Sequence, residues 1–328
     1  MIRLSRRDFA LALGAGTSVL AQSAMARASA VQSPGHIKDV VINDPSDGRA
    51  IKVRLFAPAG PHRRKLGFIA FSHGANSSGA LYDALLSPLA ASGFVIAAPT
   101  HVDSETNPSR ANFPPAAVLA TRFADLQLIS DARTELAGQI GVDAQAFDAQ
   151  AAIIAGHSYG ALLALYLVGA GQVPMGSVAG TAPISNVSSL YRGAIAISPP
   201  GAVPGLLQLE QFDTIAKPIL ITTGEKDILP GFVPRWQTRL NAFERAPTAP
   251  AFAVILPDVD HYFGGAIGRL TGAGPPQTRS LEITAQIAGL FSRGFGQGER
   301  SALRDLTVLA RRPKVTSRFP QLDLRRRN

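Results

Sequence analysis

The sequence predicts an α/β protein: one central, mostly parallel sheet of about eight strands with helices on both faces. Three observations carry that expectation. Short apolar runs alternate with longer runs that are apolar at helical spacing. Six of the short runs are apolar on both faces, as strands covered on both sides by helices must be. The composition also requires a large core, since 46% of the 328 residues are apolar and only 17% are charged, below the usual quarter.

The elements follow in order. Ile37–Ile42 and Ile51–Phe56 read as strands separated by the turn-rich Asn43-Asp44-Pro45-Ser46-Asp47-Gly48, an antiparallel hairpin at a sheet edge. Gly67–Phe71, Phe94–Ala98, Ala151–Ala155, Ala194–Ile197, Ile219–Thr223 and Phe252–Leu256 are the six buried strands. Between them, Leu81–Ala91, Arg122–Gln139, Ala161–Val168, Val233–Arg245 and Leu281–Ser292 read as helices. Such strand–helix alternation gives a doubly wound sheet, whose ligands bind beyond the carboxyl ends of the strands. Two segments break the alternation. His101–Leu119 and Gly169–Ser189 are rich in small residues, Pro and Ser, and follow a strand and a helix respectively. They read either as the rim or lid of a pocket or as plain connections.

The ends of the chain differ from its middle. Residues 1–30 carry Arg3, Arg6, Arg7 and Arg27 against Asp8. Residues 301–328 carry eight Arg or Lys against Asp305 and Asp323, so the two ends account for the whole formal charge of +9. A neutral body with basic ends, and no nucleic-acid-binding motif, argues against a nucleic-acid partner. Ser5-Arg6-Arg7-Asp8-Phe9, a weakly hydrophobic Ala10–Ala24, and the small-residue sites Ala26-Arg27-Ala28 and Ala28-Ser29-Ala30 read as a twin-arginine export signal. A general secretory signal or an amphipathic helix is the alternative. The organisation expected is a signal at 1–30, one catalytic domain at 31–298, and a basic tail at 299–328 with a short helix followed by disorder. The expected location is the periplasm or the exterior of a bacterium, with the twin-arginine export machinery as a partner. No stretch reads as a stable membrane span. The absence of cysteine excludes thiol catalysis, thiolate metal sites and disulfides together. No His/Asp/Glu spacing suggests a metal site, and no cofactor is required.

One stretch speaks to chemistry more than any other. The apolar run Ala151–Ala155 leads into Gly156-His157-Ser158-Tyr159-Gly160, and the next run is read as an amphipathic helix. A strand, a tight turn and a helix are the setting in which a G-x-S-x-G serine becomes a nucleophile, with small residues on both sides because side chains there would clash. A nucleophilic serine needs a base and a group to orient the base. His261 follows the last buried strand, in Asp258-Val259-Asp260-His261-Tyr262-Phe263, and Asp227 follows the strand before it, in Thr223-Gly224-Glu225-Lys226-Asp227. Glu225, Asp258 and Asp260 are rivals for the acid. The loop after the preceding strand faces the far nitrogen of the histidine, whereas acids adjacent to His261 are poorly placed, which favours Asp227. Upstream, Ser72-His73-Gly74-Ala75-Asn76 follows a strand and can aim backbone N–H groups at an oxyanion. The donors expected are the N–H of Tyr159 and that of Ala75, or else Asn76. Asn76, His101, Tyr262 and Phe263 are the candidate substrate contacts, with Trp236 a further candidate wall. His73 and His157 read as hydrogen-bonding or packing residues.

These residues resemble the α/β-hydrolases, and within them the dienelactone-hydrolase-like and platelet-activating-factor-acetylhydrolase-like serine esterases. The likeness rests on the elbow, Ser72-His73-Gly74, Gly224-Glu225-Lys226-Asp227 and Asp260-His261. It extends to Pro99-Thr100-His101-Val102-Asp103, Arg122-Phe123-Ala124-Asp125 and Ala196-Ile197-Ser198-Pro199-Pro200. It spans about residues 37 to 295. True dienelactone hydrolases use a cysteine nucleophile, so lactone specificity does not carry over. The resemblance implies hydrolysis of a small-molecule carboxylic ester through an acyl-enzyme on Ser158. A serine peptidase or amidase, an acyltransferase, or a non-catalytic binding protein are the competing readings.

Overall fold

The computed structural model describes residues 35–60, 64–171, 188–204, 207–246, 249–269, 274–310 and 321–325. The expected export signal and residues 172–187 of the second irregular segment lie outside them.

Among the described residues, nine strands form one sheet in the order β1-β2-β4-β3-β5-β6-β7-β8-β9. They are β1 (His36–Asn43), β2 (Ala50–Ala57), β3 (Leu66–Ser72), β4 (Phe94–Pro99), β5 (Phe147–His157), β6 (Tyr191–Ile197), β7 (Ile219–Lys226), β8 (Ala251–Asp260) and β9 (Gln321–Arg325). All eight predicted strands are present. β1 and β2 form the expected antiparallel edge hairpin, with Ile37 opposite Phe56 and Val40 opposite Val53. From β4 to β8 every pairing is parallel. The helices are α1 (Asp83–Ala90), α2 (Pro115–Asp131), α3 (Arg133–Gln139), α4 (Tyr159–Tyr166), α5 (Asn241–Arg245), α6 (Thr278–Phe291) and α7 (Arg300–Ala310).

The period of two along each strand divides the core into two layers. Phe68, Ala70, Ala152, Ile154 and Ile221 pack with α2, α3 and α4 through Leu126, Leu136 and Leu163. Their neighbours Ile69, Phe71, Ile153, Ala155 and Leu220 pack with α1, α6 and α7 through Leu85, Leu290 and Leu306. Both faces of the parallel strands are thereby covered, which is why the six runs carry no polar alternation.

Four expectations are corrected. The helix read as Arg122–Gln139 begins earlier, at Pro115, and breaks at Ala132 into α2 and α3. Proline suits that first position because its missing N–H has no partner there anyway. The helix read as Val233–Arg245 begins only at Trp236, as a 3₁₀ turn leading into α5. α4 is buried on every side from Gly160 to Tyr166 rather than amphipathic. It lies under the sheet's central strands, and a helix in that position has no wet face. Finally, the short helix expected in the tail is present as α7, but residues 321–325, expected to be disordered, form a strand, while residues 311–320 and 326–328 lie outside the described residues. α7 buries Ala302, Leu306 and Leu309 against the second core layer, and β9 adds an antiparallel edge strand to β8.

The sheet order also places the site. From β3 the chain moves outward to β4, then returns to β5 on the other side of β3. This reversal opens a crevice at the carboxyl ends of β3 and β5, where open α/β sheets bind ligands.

Candidate active site

The elbow closes the end of β5. Ser158 has φ 55° and ψ −116°, a left-handed conformation that a side chain other than glycine adopts only under strain. Its N–H is held by Ile197 O at 2.9 Å, which ties the turn to the end of β6. The flanking glycines are required by contact. A Cβ on Gly156 would lie 2.3 Å from the backbone of Gly160, and one on Gly160 would lie 1.9 Å from Ser72 O. The elbow therefore seats directly on the end of β3.

Strain points the serine hydroxyl toward the ends of β7 and β8. Ser158 Oγ lies 2.9 Å from Nε2 of His261, and Nδ1 of that ring lies 2.7 Å from Asp227 Oδ1. A carboxylate only accepts, so Nδ1 carries the hydrogen and Nε2 is the acceptor for the serine hydroxyl. The rivals for the acid are elsewhere. Glu225 is exposed, Asp258 pairs with Lys226, and Asp260 accepts the N–H groups of Tyr262 and Gly264.

The electrostatics keep the pair poised. Burial pushes the Asp227 carboxyl up, but the His261 hydrogen bond and the Arg239 charge hold it below its ordinary value. Burial pushes the His261 imidazole down and outweighs the bond and charge of Asp227, which raise it; the charges of Arg239 and Arg269 lower it further. A neutral imidazole beside a carboxylate is the state that accepts a proton from serine.

Arg239 was not singled out by its sequence context, a lone arginine in Trp236-Gln237-Thr238-Arg239-Leu240. It is fully buried, and donates from Nε to Asp227 O at 2.8 Å and from Nη1 to Ser198 O and Pro199 O at 2.8 and 2.9 Å. Nη2 lies 2.8 Å from Asp227 Oδ1 but outside hydrogen-bonding direction, so that contact is Coulombic. Thr223 Oγ1 donates to the other oxygen, Oδ2, at 3.1 Å.

A cleft of about 370 Å³ opens over Ser158. Gly74, Ala75 and Tyr159 line it near the serine, and Pro200, Leu229, Phe232 and Tyr262 form apolar and aromatic walls. Among the described residues, neither the N–H of Ala75 nor that of Tyr159 has an internal partner. Tyr159 opens α4, whose first N–H groups have no carbonyl within the helix to bond. Asn76 is excluded as a donor because Asp103 Oδ2 takes its N–H at 3.0 Å.

Among the expected substrate contacts only Tyr262 is in the cleft. His101 is fully buried beneath it, bonded to Asp125 Oδ2 at 2.8 Å and Ser72 Oγ at 3.0 Å. Phe263 is a core residue at 1% exposure. The Asn76 side chain accepts from Arg110 on the outer side of the turn. Trp236 packs against the first core layer. Asn76 and Phe263 lie within two residues of a site residue, and His101 follows the strand end of β4, but neither position in sequence tells which way a side chain faces. The 101–114 segment backs the turn from behind, with Glu105 N bonded to Asn76 O at 2.9 Å, and contributes no wall to the cleft. His73 and His157 make hydrogen bonds, as read.

A solved structure of a candidate dienelactone hydrolase from Klebsiella pneumoniae subsp. pneumoniae superposes with a TM-score of 0.51 at 17% identity, over 80% of this chain and 100% of that one. The chain has the α/β-hydrolase fold. The sequence profile of platelet-activating factor acetylhydrolase, isoform II, matches residues 48–112, a stretch running from β2 through the His73-Gly74 turn to the loop beyond β4. No curated protein matches the sequence significantly. Both likenesses are to hydrolases, and both agree with the family resemblance read from the motifs.

Proposed function

We infer that this α/β-hydrolase-fold protein is a serine hydrolase of carboxylic esters. The observation that supports it most is the unbroken chain Ser158 Oγ–His261–Asp227, set in a cleft where two unengaged N–H groups flank the same serine. Ser158 Oγ attacks the ester carbonyl while its proton passes to His261 Nε2. The carbonyl oxygen becomes an oxyanion held by the N–H groups of Ala75 and Tyr159, each worth a few kcal/mol, by the cost of removing one such donor elsewhere. Collapse of the tetrahedral intermediate expels the alcohol, which takes the proton from His261. Water then repeats the sequence on the acyl-enzyme, losing a proton to His261 and releasing the acid. Asp227 fixes the ring's tautomer and stabilises its charged form.

The test is turnover of p-nitrophenyl esters from acetate to palmitate by the wild type and by Ser158→Ala. The wild type should hydrolyse the short esters, with rates falling as the acyl chain outgrows the cleft, and the alanine variant should be inactive. Undiminished turnover by Ser158→Ala would falsify the assignment. A preference for amides or for transfer to an added alcohol would redirect it to the peptidase or acyltransferase reading. We further propose export by the twin-arginine route, on the Ser5-Arg6-Arg7-Asp8-Phe9 pattern. Changing Arg6-Arg7 to Lys-Lys should leave the precursor in the cytoplasm, and unchanged secretion would exclude that route.

A further inference from the structure

Two motifs of the chain take no part in the chemistry above: Pro99-Thr100-His101-Val102-Asp103 and Arg122-Phe123-Ala124-Asp125. They meet directly behind the turn that carries Ala75. Arg122 is fully buried on α2, and its Nε and Nη2 each lie 2.8 Å from an oxygen of Asp103, a two-pronged ion pair. The same guanidinium donates to His73 O at 2.6 Å and to Gly74 O at 3.1 Å. Asp103 accepts the N–H of Asn76. The pair therefore grips the main chain immediately before and immediately after Ala75.

Peptide geometry turns that grip into aim. In a trans peptide the C=O of one residue and the N–H of the next point in opposite directions. Gly74 O faces Arg122 and also lies 2.7 Å from His73 Nδ1. That nitrogen is a donor, because His73 Nε2 accepts the N–H of His101 at 2.9 Å. With Gly74 C=O fixed toward these two donors, the Ala75 N–H of the same peptide points away from them, into the cleft. Rotating the peptide would turn an N–H toward a guanidinium and an imidazole N–H, and would leave both without their acceptor. A third tie holds the front of the turn. Gly74 N–H donates to Tyr82 Oη, Tyr82 to His157 Nδ1, and His157 Nε2 to His261 O, each at 2.9 Å. The donor at Ala75 is thus fixed relative to the backbone of the histidine that moves the proton.

We propose that Arg122, with Asp103 as its partner, is a positioning residue for the reaction, holding the Gly74–Ala75 peptide so that the Ala75 N–H faces the oxyanion. This rests on the ester-hydrolase reading of Ser158. Arg122 touches no substrate. A lysine in its place keeps the charge but cannot reach Asp103 and two carbonyls at once from one planar fork.

The test compares Arg122→Lys and Asp103→Asn with wild type on p-nitrophenyl acetate, at equal folded fraction by circular dichroism. Arg122→Lys should lower kcat about 10- to 100-fold with KM within about threefold, less than the loss of a whole donor because the N–H is misdirected and not removed. Asp103→Asn should lower kcat by a smaller factor in the same direction. The discriminating readout is a pair of inhibitors. A trifluoromethyl ketone, which adds Ser158 and places a charged oxygen at the donors, should bind more weakly by the same factor as kcat. The corresponding methyl ketone should bind unchanged. A role confined to stability would move neither. Wild-type kcat in folded Arg122→Lys, or a lower kcat with unchanged trifluoromethyl ketone affinity, overturns the proposal. Should Arg122→Lys fail to fold, Asp103→Asn decides by the same two readouts. Ser158→Ala separates the two levels: activity there sinks the hydrolase reading, whereas its inactivity beside a fully active Arg122→Lys sinks only the positioning role.

Discussion

Gly160→Ala tests how the elbow is built. On an exposed helix this change would gain about 1 kcal/mol of helix propensity. Here the added Cβ would lie 1.9 Å from Ser72 O, 2.5 Å from Ser72 C and 2.8 Å from His73 O. A carbon and a carbonyl oxygen settle no closer than about 3.3 Å, so elbow and strand end must separate by about 1.4 Å. Neither is free to yield. Ser72 Oγ is engaged by His101 and Arg122, and His73 O by Arg122. Overpacking of this kind costs about 1–3 kcal/mol, so that after the propensity gain of about 1 kcal/mol a net loss of up to about 2 kcal/mol is left. The kinetic effect is larger, because Ser158 sits two residues before Gly160 and Ala75 two residues after His73. The separation moves the nucleophile and one oxyanion donor apart, and a misplacement of about 1 Å costs roughly 10²-fold. Urea unfolding and kcat/KM on p-nitrophenyl acetate measure both. A variant as stable as wild type and equally active would show that elbow and strand end are not in contact, and the account of the glycine would be wrong.

Asp227→Asn should lower kcat about 10⁴-fold, because an amide stabilises the wrong tautomer of His261, and should also lower stability by leaving Arg239 buried beside a neutral group; a rate within tenfold of wild type would move the acid's role elsewhere. The pH dependence of kcat/KM follows from His261. Its pKa lies below its ordinary 6.5, so the base is neutral at pH 7, and activity should be flat there and fall only as pH drops below 6.5; a midpoint above 7 would contradict the burial argument. Acid should also weaken the fold through His157, which is pushed down to about 3, chiefly by burial. The unfolded chain binds that proton first, so stability falls with pH from about 6.5 toward 3, by about 1.4 kcal/mol for this group at pH 5.5. Denaturant midpoints at pH 7.5 and 5.5 check it, and equal values refute it. Ending the chain after Ala310 should expose the edge of β8 and raise light scattering on mild heating, while the cleft and its turnover stay intact; unchanged aggregation would mean that β9 protects nothing.

Strands were legible because six of them are apolar on both faces, a pattern that only a doubly covered sheet requires. That Ser158, His261 and Asp227 would meet was legible because each follows a strand, and strand ends converge at the reversal between β3 and β5. Other features were hidden for definite reasons. β9 reads as a polar, basic tail because an edge strand needs a bonded backbone more than an apolar face. Phe263 and Asn76 were placed in the pocket because they stand close to site residues in sequence, and His101 because it follows a strand end, yet a turn sends neighbouring side chains in different directions. Tyr82 and Arg239 gave no signal, since their importance lies in what long-range packing brings to them. Asp103 and Arg122 stood in motifs that carried a likeness without a role, and only their meeting 19 residues apart in sequence gives them one.

The two buried arginines solve one structural problem twice. Where a strand ends in a tight functional turn, the next carbonyls have no ladder partner, and burying them unbonded is costly. Arg122 takes His73 O and Gly74 O beyond β3; Arg239 takes Ser198 O and Pro199 O beyond β6 and Asp227 O beyond β7. A guanidinium is suited to this, since its five donors lie in one rigid plane and reach several carbonyls and a carboxylate together. The two differ in their counter-charge. Asp103 lies outside the Ser158–His261–Asp227 chain, so Arg122 bears on that chain through geometry. The counter-charge of Arg239 is Asp227 itself, so Arg239 acts through geometry and through the field at once, lowering both Asp227 and His261. A change at Arg239 should therefore move the pH profile of the reaction as well as its rate. A change at Arg122 should move the rate and leave the pH profile where it is.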